Sequence, residues 1–231
     1  MRVLVTGGTG MVGMQLVQDL RQSHIVGTLS RVAAARGLGG APILGDVTDA
    51  ASLQGCIAFA PDVVCHLAAI SSNEIANAFP ELAVRVNLLG TVNMVETCKQ
   101  MGKQPIFILA SSSEIYGGAT GAVNEEAPIR ADMPYAVSKI AAEMYVKQSG
   151  LRYVIMRPFN TYGRAFVGSP VSVLDKWIVS GLTQGKMTLR SPEPRRDFMF
   201  RVDHAGAYLA VIKMLSTNPQ VAVGETFNFG T

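Results

Sequence analysis

The sequence contains few cysteines and few charged residues. Charged residues make up 16% of the chain, and the three cysteines, Cys56, Cys65 and Cys98, form no CxxC pair and lie in apolar segments. This usage predicts reduced core residues of a cytoplasmic protein rather than a disulfide framework, and no metal site is predicted.

Long apolar runs and clusters of one charge are also missing. No apolar run approaches the ~18 residues that a membrane helix needs. The chain starts directly on a strand-like segment at Arg2, so we expect no signal peptide. The net charge is +3, with no basic run. We therefore expect no nucleic-acid partner and no membrane association.

What the sequence does contain is a regular alternation of apolar runs and amphipathic segments. Of the 231 residues, 48% are hydrophobic, enough for a large buried core. Short runs rich in Val, Ile and Leu predict parallel strands joined by crossover helices, covered on both faces. The expected fold is therefore α/β, with a doubly wound parallel sheet. Strands are predicted near 2–6, 25–29, 41–44, 62–67, 105–110 and 152–157, and helices near 11–22, 49–59, 81–101 and 134–149.

The pattern loosens after residue 157. We expect a dinucleotide-binding domain over 1–157 and a smaller substrate-binding lobe over 158–231, interleaved with the first. The second part predicts helices over 171–184 and 203–216 and strands over 187–190 and 226–229. Residues 71–80 and 117–133 follow strands at the edge where open α/β sheets bind ligands, so they are predicted to contact substrate.

A glycine-rich turn follows the first strand. Gly7, Gly10 and Gly13 have GxxGxxG spacing, and Met11 and Val12 open the helix that follows. Glycines let the backbone approach a pyrophosphate, and the helix N-terminus offers N–H groups and partial positive charge to it. This favours a Rossmann-type dinucleotide site, with an ordinary strand–turn–helix corner as the alternative.

The end of the second strand selects between NAD and NADP in such sites. An acid there would bind a ribose 2′-hydroxyl, but the chain carries Arg31, which could pair with a 2′-phosphate. NADP is therefore predicted, with NAD as the alternative and a solvated arginine as the plainer explanation. After the third strand, Asp46 could accept from the adenine amino group or cap the helix near residue 49, and Val47 adjoins it.

The fourth strand ends in small and apolar residues on which a cofactor could lie. These residues are Leu67, Ala68 and Ala69. The preceding His66 is interpreted as a packed core histidine, because no acidic or metal-ligand partner stands at a suitable spacing.

Tyr135 and Lys139 are the predicted proton-transfer pair. They lie four residues apart, which is about one helical turn, so both face the same way. A free tyrosine has a pKa near ~10. We expect the lysine charge to lower the pKa of the phenol, so that Tyr135 can act as a base on a sugar hydroxyl.

With these motifs the chain resembles the extended short-chain dehydrogenase/reductases, the epimerase/dehydratase family that acts on nucleotide sugars. The resemblance covers essentially the whole chain. The further matching segments are Gly45–Asp46, His66–Ala69, Asn87–Thr91, the Ser111–Gly117 run, Arg157–Asn160 and Arg196–Phe198.

The resemblance implies roles for individual residues. It makes Ser112 a hydrogen-bond partner of the substrate 4-oxygen, Tyr135 the base, and Lys139 a ligand of the nicotinamide ribose. Ser113 is expected beside the substrate. Asn160 and Arg196 resemble residues that hold the nucleotide diphosphate, and Asn87 resembles a structural asparagine that supports the active-site helix.

Glu114 separates the subfamilies. In the 4,6-dehydratases a carboxylate removes the C5 proton and assists loss of the 6-hydroxyl, and the Ser112–Ser113–Glu114 triplet is closest to the pattern of GDP-mannose 4,6-dehydratases and UDP-glucuronate decarboxylases. The leading prediction is thus a nucleotide-sugar 4,6-dehydratase with a tightly bound cofactor. A 4-epimerase or a 4-keto-sugar reductase is the alternative. A non-catalytic dinucleotide sensor is disfavoured, because the chain keeps Ser112, Tyr135 and Lys139.

Two further expectations concern the size and the assembly of the protein. Family members usually continue for about a further third of their length, so the C-terminal lobe is expected to be incomplete. A homodimer is expected through the helices near 81–101 and 134–149, as in the family. The apolar residues assigned to this contact are Met94, Val95, Ala141, Met144 and Tyr145.

Overall fold

A seven-stranded, all-parallel sheet forms the centre of the molecule. The computed structural model describes residues 1–31, 39–119, 121–163, 172–188 and 195–231. The sheet order is β3-β2-β1-β4-β5-β6-β9. This confirms the predicted doubly wound α/β fold. The strands are β1 Arg2–Thr6, β2 Ile25–Ser30, β3 Ala41–Leu44, β4 Val63–His66, β5 Ile106–Ala110, β6 Tyr153–Pro158 and β9 Thr226–Phe229.

The register brings the carboxyl ends of the central strands to one edge. Thr6 at the end of β1 pairs with Leu29 on one side and with His66 on the other. β5 continues the same alignment, with Leu109 opposite His66. Ligands of open α/β sheets bind at this edge, and the predicted site residues follow these strand ends.

Helices cover both faces of the sheet. The main helices are α1 Met11–Leu20, α2 Gln54–Phe59, α5 Gly90–Lys99, α6 Pro134–Gln148 and α8 Arg201–Thr217. Side chains alternate along β1, so that Val3 and Val5 join one apolar cluster with α1 and α8, and Leu4 joins the other with α2, α5 and α6. In the described parts of the chain, no helix is long and apolar enough to cross a membrane.

A smaller group of elements lies beyond the carboxyl edge. It comprises α3 Asn73–Ala78, α4 Pro80–Ala83, α7 Val173–Gln184 and a two-stranded sheet of β7 Asn160–Tyr162 and β8 Phe198–Phe200. Both strands of that sheet have three residues, and periodicity cannot reveal strands so short.

Two predicted elements need correction. The helix expected over 81–101 is divided into α4, a π-helical turn Val84–Leu89 and α5. The strand expected over 187–190 is absent at 187 and 188, while 189 and 190, like residue 171 of the predicted helix, lie outside the described residues.

Candidate active site

The glycine turn after β1 is packed so closely that side chains would not fit. Gly7 has φ +69°, and a Cβ there would lie 2.8 Å from the backbone nitrogen of Ala68. A Cβ on Gly13 would overlap the carbonyl oxygen of Gly7. The Gly10 N–H donates to that same oxygen at 2.9 Å. Gly7 and Gly13 are therefore required for the turn to close between β1, β4 and α1.

The first helical turn of α1 directs free backbone N–H groups toward the glycine turn. Gly10 is the N-cap, and no side chain caps this helix. Its first residues, Met11 and Val12, are half-buried. Free N–H groups at a helix N-terminus suit a phosphate anion, so this turn fits a dinucleotide pyrophosphate.

Arg31 and Asp46 lie together at the predicted adenosine end. Burial pushes the pKa of Asp46 upward, but the two bonds from Thr48 and the charges of Arg31 and Arg85 hold it below its usual range. The backbone N–H and hydroxyl of Thr48 both donate to Asp46 at 2.9 Å. Asp46 is thus not the helix cap that was one of its two predicted roles, because Asp49 accepts the capping bond from Ala51.

The segment after β4 is held against β1 by Thr6. Its hydroxyl accepts from the Ala68 N–H at 3.1 Å and contacts His66 Nδ1 at 2.9 Å. His66 is buried against Phe107, and burial, together with the charge of Lys139, lowers the pKa of His66 to about 3. It is therefore the neutral core histidine that was expected. Leu67, Ala68 and Ala69 are half-buried beside the glycine turn.

Tyr135 and Lys139 are buried on the same side of α6. Their relative exposures are 7% and 4%. The Lys139 ammonium lies 6.0 Å from the centre of the Tyr135 ring and donates to the carbonyl oxygen of Ala110 at 2.7 Å. Burial lowers the pKa of Lys139 to about 8, and Glu143 opposes this decrease.

The pKa of Tyr135 is raised, not lowered. Burial raises the pKa of Tyr135 to about 12, a hydrogen bond with Ser112 opposes this, and the nearby Glu114 adds to it. The expected decrease caused by Lys139 is wrong for this structure. The physical reason is that desolvation disfavours the phenolate, and the lysine ammonium is directed to the end of β5.

The turn that follows β5 comprises Ser112, Ser113 and Glu114. The Ser112 hydroxyl accepts from the Glu114 N–H at 3.2 Å and caps a short 3₁₀ helix over Ser113–Tyr116. Burial raises the pKa of Glu114; Arg196 opposes this, and Asp132 adds to it. The turn therefore brings Ser112 to the phenol, and Glu114 and Arg196 lie close enough to influence each other.

Asn160 lies apart from that turn, on β7. It is half-buried, and its backbone N–H donates to the carbonyl oxygen of Asp197 on the segment before β8. This pairing places Asn160 and Arg196 on the same small sheet region beyond the strand ends.

A feature missed by sequence reasoning is a buried ion pair behind the site. Glu143 and Arg157 are joined at 2.7 Å, each about 2% exposed. No spacing in the sequence could have revealed this pair, because Glu143 lies on α6 and Arg157 on β6 and their contact depends on how the two elements pack.

Comparison with known proteins agrees with this geometry. The model of the NAD-dependent epimerase/dehydratase family matches residues 3–230. The chain is a member of this family. It is accordingly an enzyme of the type that uses a nicotinamide cofactor.

The relatives of this family member carry out different reactions. It is 31% identical to GDP-6-deoxy-D-mannose reductase of Pseudomonas aeruginosa, over 91% of this chain and 70% of the relative. It is 28% identical to UDP-glucose 4-epimerase of Mycolicibacterium smegmatis, over 100% of this chain and 77% of the relative. The structure of Thermus thermophilus UDP-glucose 4-epimerase in complex with NAD superposes with a TM-score of 0.86 at 30% identity, covering 100% of this chain and 78% of that chain. dTDP-glucose 4,6-dehydratases are also among the relatives, so dehydratases, epimerases and reductases are all represented.

Proposed function

We propose that this family member is a nucleotide-sugar 4,6-dehydratase. The observation that carries the proposal is Glu114, a partly buried carboxylate with a raised pKa that lies close enough to Tyr135 to influence its proton affinity. A raised pKa makes a carboxylate a better proton acceptor and keeps the carboxyl group protonated to higher pH, so the group can both accept and donate a proton. That is what removal of the C5 proton and loss of the 6-hydroxyl require.

The residues divide the reaction between them. A bound nicotinamide dinucleotide would supply the hydride acceptor for oxidation at C4, the hydride donor to C6 after water is lost and, when oxidised, a positive ring charge, so the dehydration involves no net oxidation. Tyr135 takes the proton of the 4-hydroxyl, a role that requires the positive ring charge of the bound cofactor to lower the pKa of its phenol from about 12. Ser112 holds the 4-oxygen. Lys139 donates to the cofactor ribose. Glu114 takes the C5 proton and passes it to the departing 6-oxygen, and C5 regains a proton from solvent when the hydride reaches C6. Ser113, Asn160 and Arg196 bind the substrate, and an arginine suits its diphosphate because the planar guanidinium matches phosphate oxygens.

The cofactor is proposed to be NADP. Arg31 is exposed at the end of β2 and acts on Asp46, so a cation and a polar acceptor lie together where the adenosine would bind. Gly7, Gly10, Gly13, Met11 and Val12 would hold the pyrophosphate, and Val47, Leu67, Ala68 and Ala69 would flank the cofactor.

A homodimer is also proposed, on a revised set of residues. Met94 and Val95 are fully buried in the protein's own core and cannot contact a partner. Val137 and Met144, seven residues apart on α6, are 50% and 64% exposed. They present one apolar stripe with the half-buried Ala141 between them.

A reducing, cytoplasmic location is consistent with the cysteines. All three are free and buried.

The test of the dehydratase is Glu114→Gln. With UDP-, GDP- and dTDP-hexoses as candidate substrates, the variant should still oxidise C4, so nicotinamide absorbance rises during a single turnover while elimination stalls. Exchange of the C5 hydrogen with solvent should be lost. A wild-type enzyme that converts a sugar nucleotide without any C5 exchange would instead be a 4-epimerase or a 4-keto-sugar reductase. The similarity to the Pseudomonas reductase and the Thermus epimerase makes that the second candidate.

A further inference from the structure

The buried pair of Glu143 and Arg157 has an unusually complete set of contacts. Arg157 Nε donates to Glu143 Oε1 at 3.0 Å, and Nη2 donates to Oε2 at 2.7 Å, so the pairing is bidentate. Bidentate pairs between arginine and carboxylate fix orientation as well as charge. Glu143 lies on α6 and Arg157 on β6, so the pair joins the catalytic helix to the sheet.

Glu143 also contacts the segment that leads into Ser112, the residue whose hydroxyl is proposed to bind the substrate. The Ser111 hydroxyl donates to Glu143 Oε1. One helical turn earlier, Lys139 donates to the carbonyl oxygen of Ala110 at 2.7 Å. Two side chains one turn apart on α6 thus hold two successive residues at the end of β5. Ser112 follows immediately.

The pair continues outward to the segments that border the substrate side. Arg157 Nη1 donates to the Tyr116 hydroxyl at 2.8 Å and to the Glu125 carbonyl oxygen at 2.9 Å. The Tyr116 hydroxyl donates to Asn228 Oδ1 at 2.7 Å. Every nitrogen of the Arg157 guanidinium therefore has a partner, and α6, β9 and the 121–130 segment meet at this side chain.

A buried ion pair does not by itself indicate a gain in stability, because the cost of desolvating two charges can exceed their attraction. Its position one turn from Lys139 suggests a different use. We propose that Glu143, held in place by Arg157, is a positioning residue that fixes the Ser111–Ser112 turn and keeps Lys139 protonated. This inference rests on the proposed catalytic roles of Ser112 and Lys139.

The charged and titratable groups around Lys139 support this assignment. On α6 they are Tyr135 and Glu143, on β4 His66, and on β6 Arg157. His66 is neutral above pH 3, because its pKa is about 3. Glu143 is the carboxylate that raises the pKa of Lys139 against the effect of burial. Removal of its charge should therefore lower the pKa of Lys139 below its value of about 8.

The experiment measures Lys139 directly and without turnover. The protein is labelled with lysine enriched in ¹³C at the ε position, and the Lys139 signal, assigned by its loss in Lys139→Met, is titrated from about pH 4 to about pH 11. Glu143→Gln should move the midpoint downward by about 1–3 pH units, as loss of a nearby opposite charge does. Glu143→Asp keeps the charge, so its Lys139 midpoint should stay close to that of the wild type.

Two further variants keep the test decisive. Glu143→Gln combined with Arg157→Met removes both buried charges, so it provides a folded protein if the single variant does not fold. It should show a smaller downward shift, because loss of the Arg157 charge favours protonated Lys139. Ser111→Ala removes the contact to the turn without a change in charge. It should leave the Lys139 midpoint in place and lower kcat about 10-fold, the effect of one lost hydrogen bond.

The outcomes are distinguishable. A Lys139 midpoint that is unchanged in both variants that carry Glu143→Gln overturns the proposal, and so does a Ser111→Ala shift as large as that of Glu143→Gln. Because the titration needs no substrate, a protein that shows the shift but no dehydratase activity contradicts the proposed function and leaves this inference standing.

Discussion

The carboxamide nitrogen of Asn87 lies 2.9 Å from the hydroxyl oxygen of Ser138 and donates to it. The Ser138 hydroxyl in turn donates to the carbonyl oxygen of Tyr135 at 2.7 Å. On its other side, the Asn87 carboxamide accepts from the Ile70 N–H at 2.8 Å and donates to the Ile70 carbonyl oxygen at 3.1 Å. One buried side chain on the π-helical turn thus joins the segment after β4 to the start of α6. Such π-helical turns are frequent at functional sites.

Replacement of Asn87 by Ala should weaken both the fold and the site. The backbone groups of Ile70 would lose partners, which costs about 1–3 kcal/mol of unfolding free energy per buried group left unpaired. Urea denaturation and kcat should both report the loss. Thr97→Val is the control, because Thr97 bonds within α5 and lies away from Tyr135. It should reduce stability at most slightly and leave kcat unchanged. An Asn87→Ala protein with wild-type kcat would show that the link is not needed for catalysis.

Replacement of Tyr135 by Phe should remove proton transfer and leave the cofactor bound. The expected fall in kcat is about 10²–10⁴-fold, the usual contribution of a positioned acid or base. Tyr145→Phe on the same helix is the matched control, because the Tyr145 hydroxyl bonds Glu96 and not the site. Turnover and cofactor affinity are measured on both variants. Wild-type turnover in Tyr135→Phe would mean that another group is the base.

The acid limb of the pH–rate profile should follow Glu114. As a base Glu114 must be ionised, so activity is present above its raised pKa and is lost as the pH falls through it. Asp132 raises that pKa, so Asp132→Asn should move the acid limb to lower pH. Arg196 lowers it, so Arg196→Gln should move the limb to higher pH. A shift of the acid limb to the same side in both variants would contradict the assignment of Glu114.

Replacement of Arg31 by Asp should reverse the cofactor preference. Loss of the charged hydrogen bond to a 2′-phosphate should weaken NADP binding by about 10–100-fold, while a carboxylate at this position can accept from a ribose 2′-hydroxyl. Fluorescence titration with both cofactors measures the change. Arg152→Asp is the charge-matched control, because Arg152 precedes β6 at the opposite edge of the sheet. Tighter binding of NAD than of NADP by the wild type would refute the NADP proposal.

A charge at Met144 should separate the proposed dimer. Burial of a glutamate in an apolar interface is costly, so Met144→Glu should give a monomer mass by light scattering at micromolar concentration. Met187→Glu is the control, because Met187 is 66% exposed, similar to the 64% of Met144, but lies outside α6. A wild-type protein that is already monomeric would exclude the dimer.

The sequence determined the features that depend on short-range geometry. Apolar runs placed the strands of the main sheet, and glycine spacing located the turn at Gly7 and Gly13, where a Cβ would overlap the backbone. The spacing of Tyr135 and Lys139 placed both side chains on one side of α6, because residues four apart on a helix are neighbours. These inferences needed no knowledge of which segments meet.

The tertiary structure alone decided what depends on contacts between distant segments. The pKa of Tyr135 is raised because its surroundings exclude water and because Glu114 approaches from the turn after β5. Met94 was assigned to a partner surface, but α5 turns it into the core of its own sheet. The pairing of Glu143 with Arg157 depends on how α6 packs on β6. Desolvation and through-space charge set these properties, and a linear sequence does not specify either.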